Sequence, residues 1–184
     1  MSETNIYVEV ISINNRRELL EFDKFANKHW GEHSHDGSPE SDFFDIPKWV
    51  VVAKEKDTVV GELYIFSRKV RFEGKSQKFI GIGGVVTHTD HRHLGIATKM
   101  LNHALRFAGS NGFEYAILCT DIEKIGKLYE GFGFKQMTNG YAFTDKNGVV
   151  KTETGGMIAP LINLSKVKII QNSKNILNVG ISNF

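Results

Sequence analysis

The chain has 184 residues, a formal net charge of +2 and one cysteine, Cys119. That length predicts one domain, residues 1–184, with no room for a second catalytic one; the charge balance removes the electrostatic case for nonspecific nucleic-acid binding, and a lone thiol excludes an internal disulfide or a multi-cysteine metal site. A polar start, Met1-Ser2-Glu3-Thr4-Asn5, and the lack of any apolar run near the ~20 residues of a membrane span lead to the expectation of a soluble cytoplasmic protein that needs neither membrane nor nucleic acid as partner.

Residues 6–11 alternate apolar and polar side chains and predict a first strand. An amphipathic helix follows over 15–30, with Leu19, Leu20, Phe22, Phe25, Ala26 and Trp30 at three- and four-residue spacings. The polar loop after it carries Glu32, His33, His35, Asp36, Glu40, Asp42 and Asp45. Strands at 49–54 and 59–68 flank the turn Glu55-Lys56-Asp57-Thr58, and the chain turns again at Glu73-Gly74-Lys75. A third long strand, 78–86, contains Gly81, Gly83 and Gly84. Glycine weakens a strand, so three of them suggest a bulge or a ligand lying close to the backbone.

The run Val85-Val86-Thr87-His88-Thr89-Asp90-His91-Arg92-His93-Leu94-Gly95-Ile96-Ala97 goes from apolar strand through a loop into a helix that opens near Gly95. Its apolar face is Ile96, Met100, Leu101, Ala104, Leu105 and Ala108, and Gly109 or Gly112 ends it. Free N–H groups at a helix start favour anions, phosphate above all, and Arg92 adds positive charge there. Tight helix–strand packing is the other reading of Gly95 and Ala97. The spacing is not that of a dinucleotide-binding Gly-x-Gly-x-x-Gly, and no Gly-Lys-Ser/Thr phosphate loop occurs. A buried strand, 115–119, then leads through Thr120-Asp121 to a short helix, 125–130, and to Gly131-Phe132-Gly133-Phe134. Within that strand Cys119 reads as a buried, inert thiol.

With both segments in view the chain resembles the GNAT N-acetyltransferases. Their pyrophosphate-binding signature, Arg/Gln-x-x-Gly-x-Gly/Ala, matches Arg92-His93-Leu94-Gly95-Ile96-Ala97, and their later tyrosine followed by Gly-Phe matches Tyr129-Glu130-Gly131-Phe132. The resemblance implies an α+β GNAT fold: one mixed, mostly antiparallel twisted sheet, helices on both faces, and a splayed parallel pair, 80–86 and 115–119, that holds acetyl-CoA. It also implies that backbone groups of Val85, Val86 and Thr87 orient the thioester. The pyrophosphate would rest on Arg92, His93, Leu94, Gly95, Ile96, Ala97 and the adjoining Thr98. Tyr129 would be the general acid for the departing sulfur. Many relatives supply a glutamate base from the strand before the loop; here that stretch is Gly81-Ile82-Gly83-Gly84, which leaves water, His88, Glu62 or another group. His29, His33 and His35 lack a carboxylate at ligand spacing, so no metal is expected.

The acceptor is expected to be a primary amine, a cationic small molecule or a peptide, because the loop after the first helix is rich in carboxylates. Trp30, Glu32, Asp36 and Glu62 are the candidate acceptor contacts. Val59-Val60-Gly61-Glu62, Lys127-Leu128-Tyr129 and the expected late hairpin Glu153-Thr154-Gly155-Gly156-Met157 are most similar to aminoglycoside 2'-N-acetyltransferases. Those enzymes use acidic residues near the C-terminus together with the terminal carboxylate; here the tail from Asn175 to Phe184 has no Asp or Glu, so only the carboxylate of Phe184 can serve. A strand at 167–170 and the tail, from about residue 160 to 184, are expected to fold back beside the acceptor cleft. Family habit also makes a homodimer compatible with the chain. The competing reading is a CoA-binding sensor or interaction module of the same fold without turnover.

Overall fold

The computed structural model describes residues 5–30 and 45–184. Four strands in chain order, β1 (Ile6–Ser12), β2 (Trp49–Glu55), β3 (Thr58–Phe72) and β4 (Lys75–Thr87), form an antiparallel meander, with helix α1 (Arg16–Trp30) between the first two. The β3–β4 turn uses Glu73 and Gly74, both at positive φ (48° and 76°), the backbone that two-residue hairpins require. Beyond β4 a single 3₁₀ turn, Thr89–His91, leads to α2 (Ile96–Ser110), β5 (Tyr115–Cys119) and α3 (Ile122–Glu130). The remaining elements are β6 (Lys135–Gln136), β7 (Tyr141–Thr144), β8 (Val150–Glu153), β9 (Gly156–Pro160), α4 (Leu164–Asn172) and β10 (Leu177–Ile181).

Seven strands make one mixed sheet in the order β1-β2-β3-β4-β5-β9-β6, and β4–β5 is its parallel pair. Helices cover both faces. On one side α2 and α3 bring Met100, Leu101, Ala104 and Tyr129 onto Leu63, Ile65, Ile80 and Ile82. On the other, α1 and α4 bring Leu19, Val167 and Ile170 into a core with Tyr64, Phe66, Phe79 and Tyr115. With both faces covered, the middle of β2 reads as an unbroken apolar run, Val50-Val51-Val52-Ala53, all fully buried. This is the α+β arrangement expected of the sequence.

Three details differ from the sequence expectation. The sheet is accompanied by a separate three-stranded sheet, β10-β7-β8, in which β10 runs parallel to β7. The expected late hairpin around Glu153 to Met157 is not one: β8 belongs to the small sheet and β9 pairs with β5 and β6 in the large one. The expected strand at 167–170 lies within helix α4. Asn163 caps that helix by accepting the Lys166 N–H at 3.1 Å, and Val167 and Ile170, three apart, share its buried face. Burial at helical spacing overrides the strand preference of β-branched residues.

Candidate functional site

The two parallel strands stay together only over part of their length. β4 and β5 pair from Phe79↔Tyr115 to Ile82↔Leu118. Beyond that point β5 continues against β9 as far as Cys119↔Gly156, while β4 continues against β3 as far as Thr87↔Gly61. Residues 83–87 of β4 therefore present an edge with no strand beside it among the described residues. A bulge marks the parting. Tyr64 faces Gly83 and Glu62 faces Val86, so β4 carries one extra residue opposite Leu63. Gly84 sits there at φ 59°, in the left-handed region, with the Tyr64 ring so close that an added methyl would meet it at 2.6 Å.

Next to that edge is a groove of about 480 Å³. Every residue expected at a cofactor, Val85, Val86, Thr87, Arg92, His93, Gly95, Ile96, Ala97 and Thr98, lines it, except Leu94; His91, Ile125 and Leu128 complete the wall. The Leu94 side chain is 55% exposed instead. Gly95 is the N-cap of α2 at φ 73° and has no side-chain cap. An added methyl on it would meet no atom within 4 Å, so the N-terminus of a 15-residue helix opens onto free space. Arg92 is fixed by two carbonyls, Nη2 to His29 O at 3.1 Å and Nε to Thr87 O at 3.4 Å. Carbonyls hold the guanidinium without cancelling its charge, so the groove end can hold an anion on backbone N–H groups and a cation together.

The three residues assigned to catalysis do not converge equally on this edge. Tyr129 is buried beside Phe134 at 6.1 Å, ring centre to ring centre. Burial pushes its phenol up to about 12, so the proton stays on at neutral pH. Its helix neighbours Ile125 and Leu128 reach the groove wall. His88 is poorly placed as a base. Its Nδ1 accepts the Asp90 N–H at 3.2 Å, which occupies the lone pair of a neutral ring and puts the hydrogen on Nε2. The same ring packs against that of His29, tilted by 45° with ring centres 4.2 Å apart. His29 is held below its ordinary pKa by burial and then by His88.

Phe184 comes back to β4. Its ring is stacked on Tyr141 at 5.3 Å and lies over Gly81, where a methyl would come within 2.4 Å of it. Its carboxyl carbon lies over Gly83, at 2.6 Å from a methyl there. The glycines of β4 thus make room for the bulge and for the chain's own C-terminus. The tail is anchored by Ser182 N–H to Thr144 O at 2.9 Å, by Asp45 N–H to Ser182 Oγ at 3.3 Å, and by a short hydrogen bond from Tyr141 Oη to Asn183 Oδ1. Asp45 belongs to the expected acidic rim, yet it is ion-paired with Arg68.

Of the acceptor candidates, Glu62 is fully buried on β3 instead of on a rim. Burial pushes its carboxyl up to about 8, with a smaller rise from the charge of Asp23. Trp30 closes α1, but its side chain, like Glu32 and Asp36, lies outside the described residues. So do His33 and His35; among the described residues no cluster of His, Cys, Asp or Glu could hold a metal ion. Among the same residues no helix is long and apolar enough to cross a membrane. Sequence reading missed Asp23, Tyr64, Arg68 and the tail anchors. The one available signal was Glu62-Leu63-Tyr64, two polar groups on the same face of an otherwise apolar strand.

Residues 28–137 match the family model of an acetyltransferase (GNAT) domain. No curated protein matches the chain. Among solved structures, the GNAT family N-acetyltransferase YhbS of Escherichia coli, in complex with CoA, superposes with a TM-score of 0.63 at 14% identity, over 98% of this chain and 93% of its own. The IAA acetyltransferase of Bacillus cereus ATCC 14579 gives 0.56 at 16% identity, over 85% and 100%. A conserved protein of unknown function from Enterococcus faecalis V583 gives 0.57 at 14% identity over 73% of this chain, which spans only 33% of that protein's length. At these identities the shared property is the fold.

Proposed function

The chain belongs to the GNAT acetyltransferase family, and from that premise we propose that it moves an acetyl group from acetyl-CoA to a primary amine by direct attack, with residues 1–184 forming one catalytic domain. The observation that carries this reading is the unpaired edge of β4, residues 83–87, running into the open N-terminus of α2 beside Arg92. An extended pantetheine arm adds to such an edge as a strand does. Its amide groups pair with Val85, Val86 and Thr87, while the pyrophosphate takes the N–H groups from Arg92 to Thr98. One β4 N–H then polarises the thioester carbonyl. The amine nitrogen attacks that carbon, the C–S bond breaks, and Tyr129 donates to the leaving sulfur.

The acceptor in this reading is cationic. Asp23 and the Phe184 carboxylate lie on the α1 face of β3 and β4, where negative charge attracts an ammonium; Glu62 beside them, pushed up to about 8 by burial, is mostly neutral at pH 7. The Phe184 carboxylate, beside Gly83, replaces His88 as the group that takes a proton from the attacking nitrogen. The test is free-thiol release from acetyl-CoA with a panel containing an aminoglycoside, a polyamine and a lysine peptide, alongside calorimetric CoA binding. Turnover of at least one amine is the expected result; CoA binding with no turnover on any of them overturns the reading in favour of a CoA-binding module.

A further inference from the structure

One buried cation on the α1 face is left half-used. Arg68 lies on β3 opposite Phe79, two and four residues along from Phe66 and Tyr64 and so on their side of the sheet. Its side chain keeps only 10% of its surface. Nη1 is ion-paired with Asp45. Nε and Nη2 are both buried and have no hydrogen-bond partner among the described residues. A guanidinium cannot shed its proton, so the N–H groups on these two nitrogens are withdrawn from water without an acceptor, which is costly. Nε and Nη2 form one edge of the guanidinium fork, an edge that takes a carboxylate through two parallel hydrogen bonds. Asp45 does not use that edge; its other oxygen, Oδ1, accepts the Ile46 N–H at 2.9 Å.

Packing accounts for the position of this cation but not for its empty edge. The guanidinium carbon is 5.5 Å from the centre of the Phe66 ring and 6.0 Å from that of Phe184. Aromatic faces attract the charge but offer no lone pair to N–H groups in the guanidinium plane. Both rings belong to the side from which the acceptor enters. The Phe184 ring lies over Gly81 and its carboxyl carbon over Gly83, where an added methyl would also meet Phe66 Cε2 at 3.4 Å. Guanidinium, Phe184 ring and Phe184 carboxylate therefore follow one another along β4, from Phe79 through Gly81 to Gly83, toward the unpaired edge.

We propose that Arg68 is a specificity-determining residue that selects an acceptor carrying a carboxylate at the end away from its reacting amine. The carboxylate takes Nε–H and Nη2–H of Arg68 beside the partly exposed Asp45, the spacer lies along the Phe184 ring, and the ammonium meets the Phe184 carboxylate over Gly83. This rests on the acetyl-transfer reading and narrows its acceptor from any cationic amine to a small zwitterion of the amino-acid type. Along that line every charge has an opposite neighbour: Asp45, Arg68, the acceptor's carboxylate, its ammonium, and the Phe184 carboxylate. A polyamine would leave the Nε–Nη2 edge empty and set a second ammonium against a guanidinium, a like-charge contact that discriminates against it.

Matched pairs of amines test this on the full chain: 6-aminohexanoate against pentylamine, and lysine against cadaverine, each pair differing by one carboxylate. In the wild type kcat/KM favours the member with the carboxylate by ~10–10²-fold, the range of hydrogen bonds to a charged group, and the difference lies in KM. Arg68→Lys keeps a cation for Asp45 but has no fork, and there the preference collapses toward one; a merely structural role would lower both members together and leave their ratio intact. The second readout needs no turnover. With ¹⁵N-labelled arginine, the Arg68 Nε–H signal, assigned by its loss in Arg68→Lys, shifts saturably with 6-aminohexanoate and stays in place with pentylamine. No preference in the wild type, an undiminished ratio in Arg68→Lys, or an Nε–H signal indifferent to 6-aminohexanoate overturns the proposal. Absence of turnover in the wild type on every amine overturns the acetyl-transfer reading instead, and the Nε–H titration then still decides whether Arg68 holds a carboxylate.

Discussion

At the scale of single residues, burial sets both reactivity and its absence. Cys119 ends β5 just past the point where it parts from β4, yet burial, and then the charge of Glu153, push its thiol up to about 12. Almost no thiolate exists at pH 8, so the folded protein should resist iodoacetamide at pH 8 while the denatured protein reacts; rapid labelling of the native form by mass spectrometry contradicts this. Tyr129 keeps its proton for the same physical reason. Tyr129→Phe should lower kcat ~10²-fold, within the range of general-acid loss, and leave CoA affinity intact by calorimetry. Gly81 is a packing position: a methyl there would collide with the Phe184 ring at 2.4 Å. Gly81→Ala should therefore destabilise the protein by ~1–3 kcal/mol, the usual cost of overpacking, measurable by denaturant unfolding. Gly81, Gly83 and Gly84 stand out in the sequence as a place where something approaches the backbone. That the visitor at two of them is Phe184, about a hundred positions along the chain, is invisible to local spacing.

At the scale of elements, the proposed reaction divides between the start of α2, on the donor side, and the C-terminal tail, on the acceptor side. Gly95 reaches φ 73° with empty space beyond it. Gly95→Ala should cost roughly 1 kcal/mol of stability through left-handed strain alone, but weaken CoA more strongly because the new methyl projects into the open space at the helix end. Equal losses in both would remove the anion-site reading of α2. In the tail, the Phe184 ring and carboxylate are separable. Phe184→Ala keeps a carboxylate and loses a buried ring, so unfolding free energy should fall ~3 kcal/mol; deleting residues 183–184 should in addition abolish most acceptor turnover while CoA still binds. The strand–loop–helix order around Arg92 and Gly95 was readable because periodicity and glycine are local signals. α4 was misread because Val167 and Ile170 favour strands individually, and only their joint burial three residues apart makes that segment a helix.

For the molecule as a whole, the pH dependence of stability reports the buried face beneath α1. Glu62 titrates at an ordinary 4.5 when unfolded and about 8 when folded, so between those values the native state holds more protons and stability falls as pH rises. Its contribution is complete below 4.5 and lost on passing 8. The opposite case is Glu114, where burial is the largest single influence and pushes up, but the hydrogen bonds from Lys166, the Lys78 N–H and Asn163, with the charge of Lys166, together outweigh it and hold the carboxyl below its ordinary value; its contribution is lost only on acidification through that lowered value. Melting temperature should thus decline from pH 5 to 8, and Glu62→Gln should flatten that decline; an unchanged slope in the variant refutes the assignment. The sequence by itself determined the meander, the α2 anion loop, the short helix with Tyr129 and a near-neutral composition, because each depends on neighbours within about one turn or one strand pair. Only the tertiary structure decided that β4 and β5 part after Ile82, that β8 and β9 serve different sheets, and that Asp23, Tyr64, Glu62 and the Phe184 carboxyl gather on one face. Those outcomes depend on contacts between distant segments, whose geometry is set by packing both faces of one sheet.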